Sequence, residues 1–420
     1  MTAAPLVLFL GNVRHGEYES LRERGLGVGL LRDVAAHSWS VADDEVDLVL
    51  PWDPAGPVAG LAAQVAGVRR DRPVAAVLNQ REIYVEQFAA LLAALGEPAM
   101  AAAQVAALRS KRLMRARFAE RIGPDATGAC APVTSAGDLR AFGAAHGWPV
   151  VLKPSLLYSS LFVVPVAGPG EAAGRLAEVT AGLAAHVAAK GLGERFLGVQ
   201  AEAFLHGTNH SVDVLADAAG RVYTSPVVDV LTGQELGTGD FHHFARLAPS
   251  RADPAAVAAM RALAAAAARA LDLRRTAGHV EFILTPDGPR LLEVGLRPGG
   301  HRNRMLRLGY GTDFAGGYLD VMTGHVPDMS ERRRTPSAIV TPFPATAGCF
   351  LGVHGLDRVR ALPGYRSHRV YGRPGDTAGK ASQGHWQTLS VELSGATMPA
   401  VEEDVAAIAG MPDLVAVGAQ

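Results

Sequence analysis

The stretch Gly278–Gly300, GHVEFILTPDGPRLLEVGLRPGG, decides how the rest of this chain is read. Two apolar-alternating runs, His279 to Thr285 and Pro289 to Leu296, flank Pro286-Asp287-Gly288, which is strong turn chemistry. Together they predict a β-hairpin. With Asp287 at the middle of a three-residue loop, Val280 faces Val294 and Phe282 faces Leu292. One face is then apolar throughout, as a core-packed sheet requires. A two-residue Asp287-Gly288 turn would mix the two faces and is rejected. On the other face the same register sets Glu281 directly opposite Glu293, with Arg297 following on that side. Directly opposed residues have Cβ atoms about 4.5–5.5 Å apart, where like charges repel. Two carboxylates so placed need a divalent cation or a shared proton. The nearby arginine favours a cation site that binds something anionic. A solvated acidic face is the plainer alternative.

Composition narrows the field. At 420 residues the chain exceeds one ordinary core, so several domains are expected. The net charge of −1 gives no electrostatic case for nucleic acid or an acidic membrane. No apolar run approaches a membrane span. The Leu6–Leu10 run lacks a basic leader and reads as a first strand, not a signal peptide. Cys130 and Cys349 lie far apart and form no metal or redox motif, which suits a reducing, cytoplasmic location. Of the 40 basic residues only Lys111, Lys153, Lys190 and Lys380 are lysine. A lysine kept in so arginine-rich a chain suggests a task that a planar guanidinium does not fulfil, such as meeting a single phosphate oxygen. Lys111 and Lys153 have contexts that fit this; Lys190 and Lys380 read as chance.

Residues 1–107 alternate strand and helix patterns (strands at Leu6–Leu10, Asp47–Leu50 and Val74–Leu78, a helix near Glu82–Leu95), which implies a parallel sheet. The Gly25-x-Gly27-x-Gly29 run is read as a turn. Gly11 to Gly16 follows the first strand and so lies at the carboxyl end of the sheet, a common ligand position. Residues 108–198 begin with a basic helix, Lys111–Arg121. They continue through a helix at Asp138–His146 to the strand Val150–Lys153, a small-residue loop Ser155–Ser160 and a return strand Leu161–Val166. A lysine at a strand end before such a loop can hold phosphate through its ammonium and backbone N–H groups. Residues 199–335 carry strands at Val199–Phe204, Ser211–Leu215 and Val222–Val230. A polar segment, Thr232–Phe244, contains His242-His243 and reads as a substrate loop. Asp253-Pro254 then caps an Ala-rich helix that runs to Leu271. After the central hairpin come the polar cluster His301-Arg302-Asn303-Arg304 and a helix at Asp313–Met322. Residues 336–420 form a smaller strand-rich unit with strands at Ala338–Thr341 and Thr388–Leu393 and a closing helix at Ala400–Ala409.

In this order the pieces resemble the ATP-grasp superfamily, over roughly residues 75 to 325. Ser110-Lys111 resembles the phosphate lysine, and Val150–Pro154 the second ATP lysine on its strand. Ala201–Gly207 is similar to the hinge strand against which adenine lies. His279-Val280-Glu281 and Leu292–Gly300 resemble the magnesium hairpin. The Glu82–Gly96 segment resembles the family's helix before the grasp domain; each motif is weak alone, but five in sequence are specific.

The resemblance implies an α/β and α+β architecture, an ATP-grasp fold behind an N-terminal Rossmann-like domain and before a small C-terminal unit. It implies that ATP is held by Lys111, Lys153, Ser159, Ser160, Asn209 and the backbone of Glu202, Ala203, Phe204 and Leu205. Glu281 and Glu293 would hold Mg2+, with Mn2+ able to replace it, and Arg297 would serve the transferring phosphoryl group. His242, His243, Arg302 and Arg304 are the candidates for substrate contact. The subgroup most similar is that of the L-amino acid ligases, carboxylate–amine ligases of specialised metabolism that work through an acylphosphate and release ADP. Small-molecule acids and amines, a homodimer and no nucleic-acid or membrane partner are the expected company. Another ATP-grasp ligase, of carboxylase or purine-pathway type, and a catalytically silent ATP-binding protein are the alternatives. The sequence departs from the family pattern in three places. The Ser155–Ser160 loop lacks glycines. Asn209 stands where an acidic ribose contact is common. Gly295 stands where an Asn often completes the metal shell, leaving a water or Asn303 to replace it.

Overall fold

The computed structural model describes residues 4–34, 41–157, 160–237, 241–383, 385 and 387–418. Its N-terminal part is a four-stranded parallel sheet in the order Leu48–Trp52, Gly27–Asp33, Leu6–Gly11, Val74–Asn79. Leu6 to Leu10 are wholly buried, as strands covered on both faces must be. The strand Gly27–Asp33 corrects the reading of the Gly25–Gly29 run as a turn. The glycines are there for close packing: a Cβ on Gly29 would lie 2.5 Å from Leu8 Cδ2.

A second, small antiparallel sheet runs Cys130–Pro132, Val199–Ala203, Val150–Pro154, Val164–Val166, with its own core around Leu139, Leu152 and Leu183. The return strand is shorter than the expected Leu161–Val166. Ser160 and Phe162 both take left-handed backbone conformations (φ 54°), which break the extended run.

The third and largest sheet is antiparallel. It starts at the central hairpin and runs Gly288–Gly295, Thr276–Thr285, Thr208–Ala216, Val228–Thr232, His243–Ala248, Ser337–Val340, Leu389–Ser394, Tyr365–Val370. Ser337–Val340 pairs with His243–Ala248, so the sheet continues across the sequence boundary at 335/336. The polar 232–244 segment therefore ends in a central strand, which its irregular pattern concealed. Likewise the His301–Arg304 cluster opens a helix, Arg302–Tyr310.

The hairpin register agrees with the sequence at its base and departs at its tip. His279 pairs Gly295, Val280 pairs Val294 and Glu281 pairs Glu293. Beyond Glu281 a bulge shifts the register, so Phe282 pairs Leu291, not Leu292, and the turn closes on Thr285 and Gly288. The loop thus holds two residues, Pro286 and Asp287. Proline suits the first central position, Gly288 takes the positive φ (109°), and the Thr285 hydroxyl donates to the Gly288 carbonyl at 2.8 Å. The bulge leaves Leu292 unpaired and turns it into the cleft beside Glu293, while Leu291 fills the core. Phe282, Leu291 and Val294 pack there with Val212, Val214 and the alanines of the helix Pro254–Ala270, whose small side chains let it lie close on the sheet. Among the described residues no helix is long and apolar enough to cross a membrane.

Gly29→Val should overpack the N-terminal sheet against Leu8 and lower stability by about 1–3 kcal/mol. The urea unfolding midpoint measures this, and an unchanged midpoint would mean that Leu8 can swing clear.

Candidate functional site

The two antiparallel sheets face each other across a cleft of about 1520 Å³, closed at one end by the loops after the parallel strands. Lys111, Lys153, Ser160, Glu202, Ala203, Phe204, Leu205, Asn209, His242, His243, Glu281, Glu293 and Arg297 all line it. Ser159 lies outside the described residues. Arg302 and Arg304 do not line it. Arg302 is buried beneath the floor, where it reaches Asp213 at 3.2 Å and the Ser211 hydroxyl at 2.8 Å. Arg304 packs over Gly16 and pairs with Glu392. The Arg302–Tyr310 helix turns both away from the space that the sequence reading gave them.

The opposed carboxylates are each met by a basic partner. Lys111 is the first residue of the helix Lys111–Arg121, and the Ser110 hydroxyl caps that helix end. Its ammonium lies 3.3 Å from Glu293 and also donates to the Leu157 carbonyl of the loop after Lys153. Its backbone N–H donates to the Ser155 carbonyl at 3.0 Å, so this loop is tied to the helix start. Glu281 receives the His279 ring at 3.2 Å, and the other nitrogen of that ring meets Asp213 at 2.6 Å. Burial alone would push the Glu281 carboxyl up. The His279 hydrogen bond, with the nearby His279 ring and the Arg297 guanidinium, outweighs it and holds the group far below the usual range. It is therefore an anion at any physiological pH. Burial drives His243, 3.9 Å from Glu281, down to about 3, so its ring is neutral.

Two carboxylates on rigid strands, open to the cleft, fit Mg2+. That ion is commonly held by one or two carboxylates, with substrate phosphates and water filling its remaining positions. Among the described residues no third His, Cys, Asp or Glu joins them. Asn303 is not available to do so: its amide donates to the Gly16 carbonyl (3.2 Å) and accepts from the Ala315 N–H (3.0 Å). Gly295 has a steric reason. A Cβ there would come 3.1 Å from Glu82 Oε2, and Glu82 pairs with Arg297 at 3.3 Å. The space that an asparagine would fill is used to hold the arginine.

Lys153 and the hinge strand carry a second buried network. The Glu202 side chain points inward, 2.8 Å from Lys153 and 2.6 Å from Arg115, and accepts from Gln200 at 2.7 Å. Burial opposes ionisation of Glu202, but Arg115 and Lys153 together keep its carboxyl below the usual range. Burial also lowers Lys153, against the pull of Glu202. The sequence reading gave Glu202 only a backbone role and missed Arg115. It also missed Asp213, which binds His279, Arg302 and the Gly299 N–H (2.7 Å) from a wholly buried position. Extending the hairpin register by one strand would have exposed that role, since Asp213 pairs directly with His279. Asn209 reaches Glu235 at 3.4 Å, so a carboxylate does stand beside the position where an acidic contact was lacking.

Glu202→Gln would leave two buried cations without a counter-charge and should cost about 3–5 kcal/mol at pH 7. Because the folded state holds this carboxyl below its unfolded value of about 4.3, its contribution is present above that pH and disappears as pH falls through the folded value. The stability gap between wild type and variant should therefore narrow below about pH 4 in denaturation curves. A gap that is constant with pH would mean that Glu202 does not carry the charge.

Comparisons with known proteins bear on the fold. A family model for the ATP-grasp domain matches residues 146–303. Among solved structures, an L-amino acid ligase from Bacillus licheniformis superposes with a TM-score of 0.77 at 16% identity, covering 100% of both chains. A carboxyaminoimidazole ribonucleotide synthase from Aspergillus clavatus, complexed with ATP, superposes with a TM-score of 0.72 at 16% identity, covering 99% of this chain and 100% of the other. An uncharacterized protein of Sinorhizobium fredii, y4rH, is 28% identical over 108 residues, which is 26% of this chain and 23% of that relative's length. This chain thus contains an ATP-grasp domain and, from end to end, has the ATP-grasp fold.

Proposed function

We propose that the protein is an ATP-dependent carboxylate–amine ligase that joins amino acids. The observation that carries this reading is the Glu281–Glu293 pair, opposed and open to a cleft that also holds Lys111, Lys153 and Arg297. Lys111 and Lys153 would meet ATP phosphates, and the backbone from Glu202 to Leu205 would meet adenine. Glu281 and Glu293 would hold Mg2+, which when bound neutralises charge on the phosphate oxygens. Arg297, steadied by Glu82, lies beside this site and suits both the transferring phosphoryl group and the reacting carboxylate. The carboxylate oxygen attacks the γ-phosphorus, the bridging P–O bond breaks and ADP leaves. The amine nitrogen then attacks the acyl carbon, phosphate departs and the amine gives up its proton. Positioning and charge neutralisation supply most of the acceleration in such chemistry.

The assay is ADP release with Mg-ATP against a panel of amino acids, singly and in pairs, with mass detection of products. ADP that appears only with certain pairs, together with a condensed product, is the expected outcome. Release with bicarbonate or a metabolite acid and none with amino acids would move the reaction to another ligase class. ATP binding with no turnover on any substrate would leave a silent binder. With a productive pair, Arg297→Met should lower kcat by about 100-fold or more. A variant with wild-type kcat would remove Arg297 from the reacting centre.

A further inference from the structure

Among the described residues, two guanidinium groups at the inner end of the cleft make no ion pair. Arg14 follows the first parallel strand, and the Gln80 side chain fixes its backbone (3.0 Å). Its guanidinium donates to the carbonyls of Pro298 (3.2 Å) and Gly299 (2.9 Å). Arg246, on the strand His243–Ala248, donates to the His243 carbonyl (3.3 Å) and the Thr341 hydroxyl (3.2 Å). Its second terminal nitrogen lies 3.8 Å from where a Cβ on Gly300 would be. Both residues thus flank the Pro298–Gly300 turn, and both line the cleft.

Among the described residues neither Arg14 nor Arg246 makes an ion pair, although other buried cations here do: Arg115 and Lys153 with Glu202, Arg302 with Asp213, Lys111 with Glu293. Burial pushes Arg246 down to about 9, reinforced by Arg302 and by Arg14 itself. Burial pushes Arg14 down to about 10, reinforced by Arg297. The one carboxylate placed to offset Arg14 most, Glu17, lies buried away from the cleft, and burial raises it to about 7. Two like charges held together without a partner are costly unless a ligand brings the anion. The guanidinium fork is matched to the planar oxygen pair of a carboxylate.

We propose that Arg14 and Arg246 form an oxyanion subsite that holds a non-reacting carboxylate of the substrate pair, one that remains free in the product. The cleft then selects a substrate with a carboxylate beyond the one that is phosphorylated, such as an amine that is itself an amino acid. Assigning the bound carboxylate to a substrate rests on the ligase reading; the subsite itself does not. The γ-phosphoryl group of ATP is the other bearer of oxyanion chemistry in this cleft, so the test must separate the two.

The KM of each substrate of a productive pair, of its carboxamide analogue and of Mg-ATP is measured for wild type, Arg246→Met and Arg14→Gln. KM for the carboxylate-bearing substrate should rise about tenfold or more in both variants, with KM for ATP unchanged. The wild-type preference for the acid over its carboxamide should disappear with it. A rise in KM for ATP alone would assign the arginines to the nucleotide and overturn the proposal, as would retained discrimination between acid and amide. A second measurement needs no turnover: thermal unfolding with malonate in the presence of Mg2+ and a non-hydrolysable ATP analogue. Malonate should raise Tm of wild type and not of Arg246→Met. If no pair releases ADP, the ligase reading fails, yet a malonate shift that Arg246→Met abolishes still upholds the subsite. No shift in wild type overturns it. Should Arg246→Met not fold, Arg14→Gln decides both measurements.

Discussion

Two carboxylates forced face to face across one hairpin are the constraint on which the cleft depends. Glu281 and Glu293 are paired by the register of strands whose other face is core, so neither can turn away without exposing Val280, Val294 or Leu291. Their repulsion must be offset where they stand. The protein does this asymmetrically. Lys111 reaches Glu293 from the small sheet's side of the cleft, and His279 reaches Glu281 from within the hairpin. Each partner is itself anchored, Lys111 by the loop that follows Lys153 and His279 by Asp213. The charge pair therefore organises the loop, the helix start and the floor together.

A second layer of buried charge supports the first. Asp213 is wholly buried, yet it has a ring nitrogen, a guanidinium and a backbone N–H to satisfy it. Arg302 and Arg304, which look in the sequence like cleft residues, are used here and against Glu392 as struts. Gly295 follows the same logic. Its missing side chain makes room for the Glu82–Arg297 pair, so the departure from the family pattern at one position is coupled to a contact made from the N-terminal part of the chain.

The cleft's ends differ in charge balance. Around the hinge strand the buried cations Arg115 and Lys153 share the Glu202 carboxylate. Around the Pro298–Gly300 turn, Arg14 and Arg246 make no ion pair among the described residues. An enclosed site with surplus positive charge favours an anionic occupant, and this contrast is what distinguishes one end of the cavity from the other.

Apolar alternation fixed the hairpin, its Glu281–Glu293 pairing and the apolar face behind it, because side chains alternate with period two, whereas the turn, read as three residues, holds two. The Lys111–Arg121 helix and the Asp253-capped helix were equally legible, since caps and periodicity are local signals. The bulge at Leu292 was not, because a two-for-one pairing costs nothing in composition and appears only when the partner strand is in place. Nor was the strand Gly27–Asp33, whose glycines answer to Leu8 on a neighbouring strand. Arg14, Arg115, Asp213 and Arg246 carry no motif. Each meets at least one group 80 or more residues away in sequence, as Arg14 does at Gly299 and Arg115 at Glu202. The sequence by itself determined which carboxylates oppose each other. Tertiary structure decided which cations reach them and which make no ion pair, because ion pairs depend on distance in space, and only the packing of the sheets sets that distance.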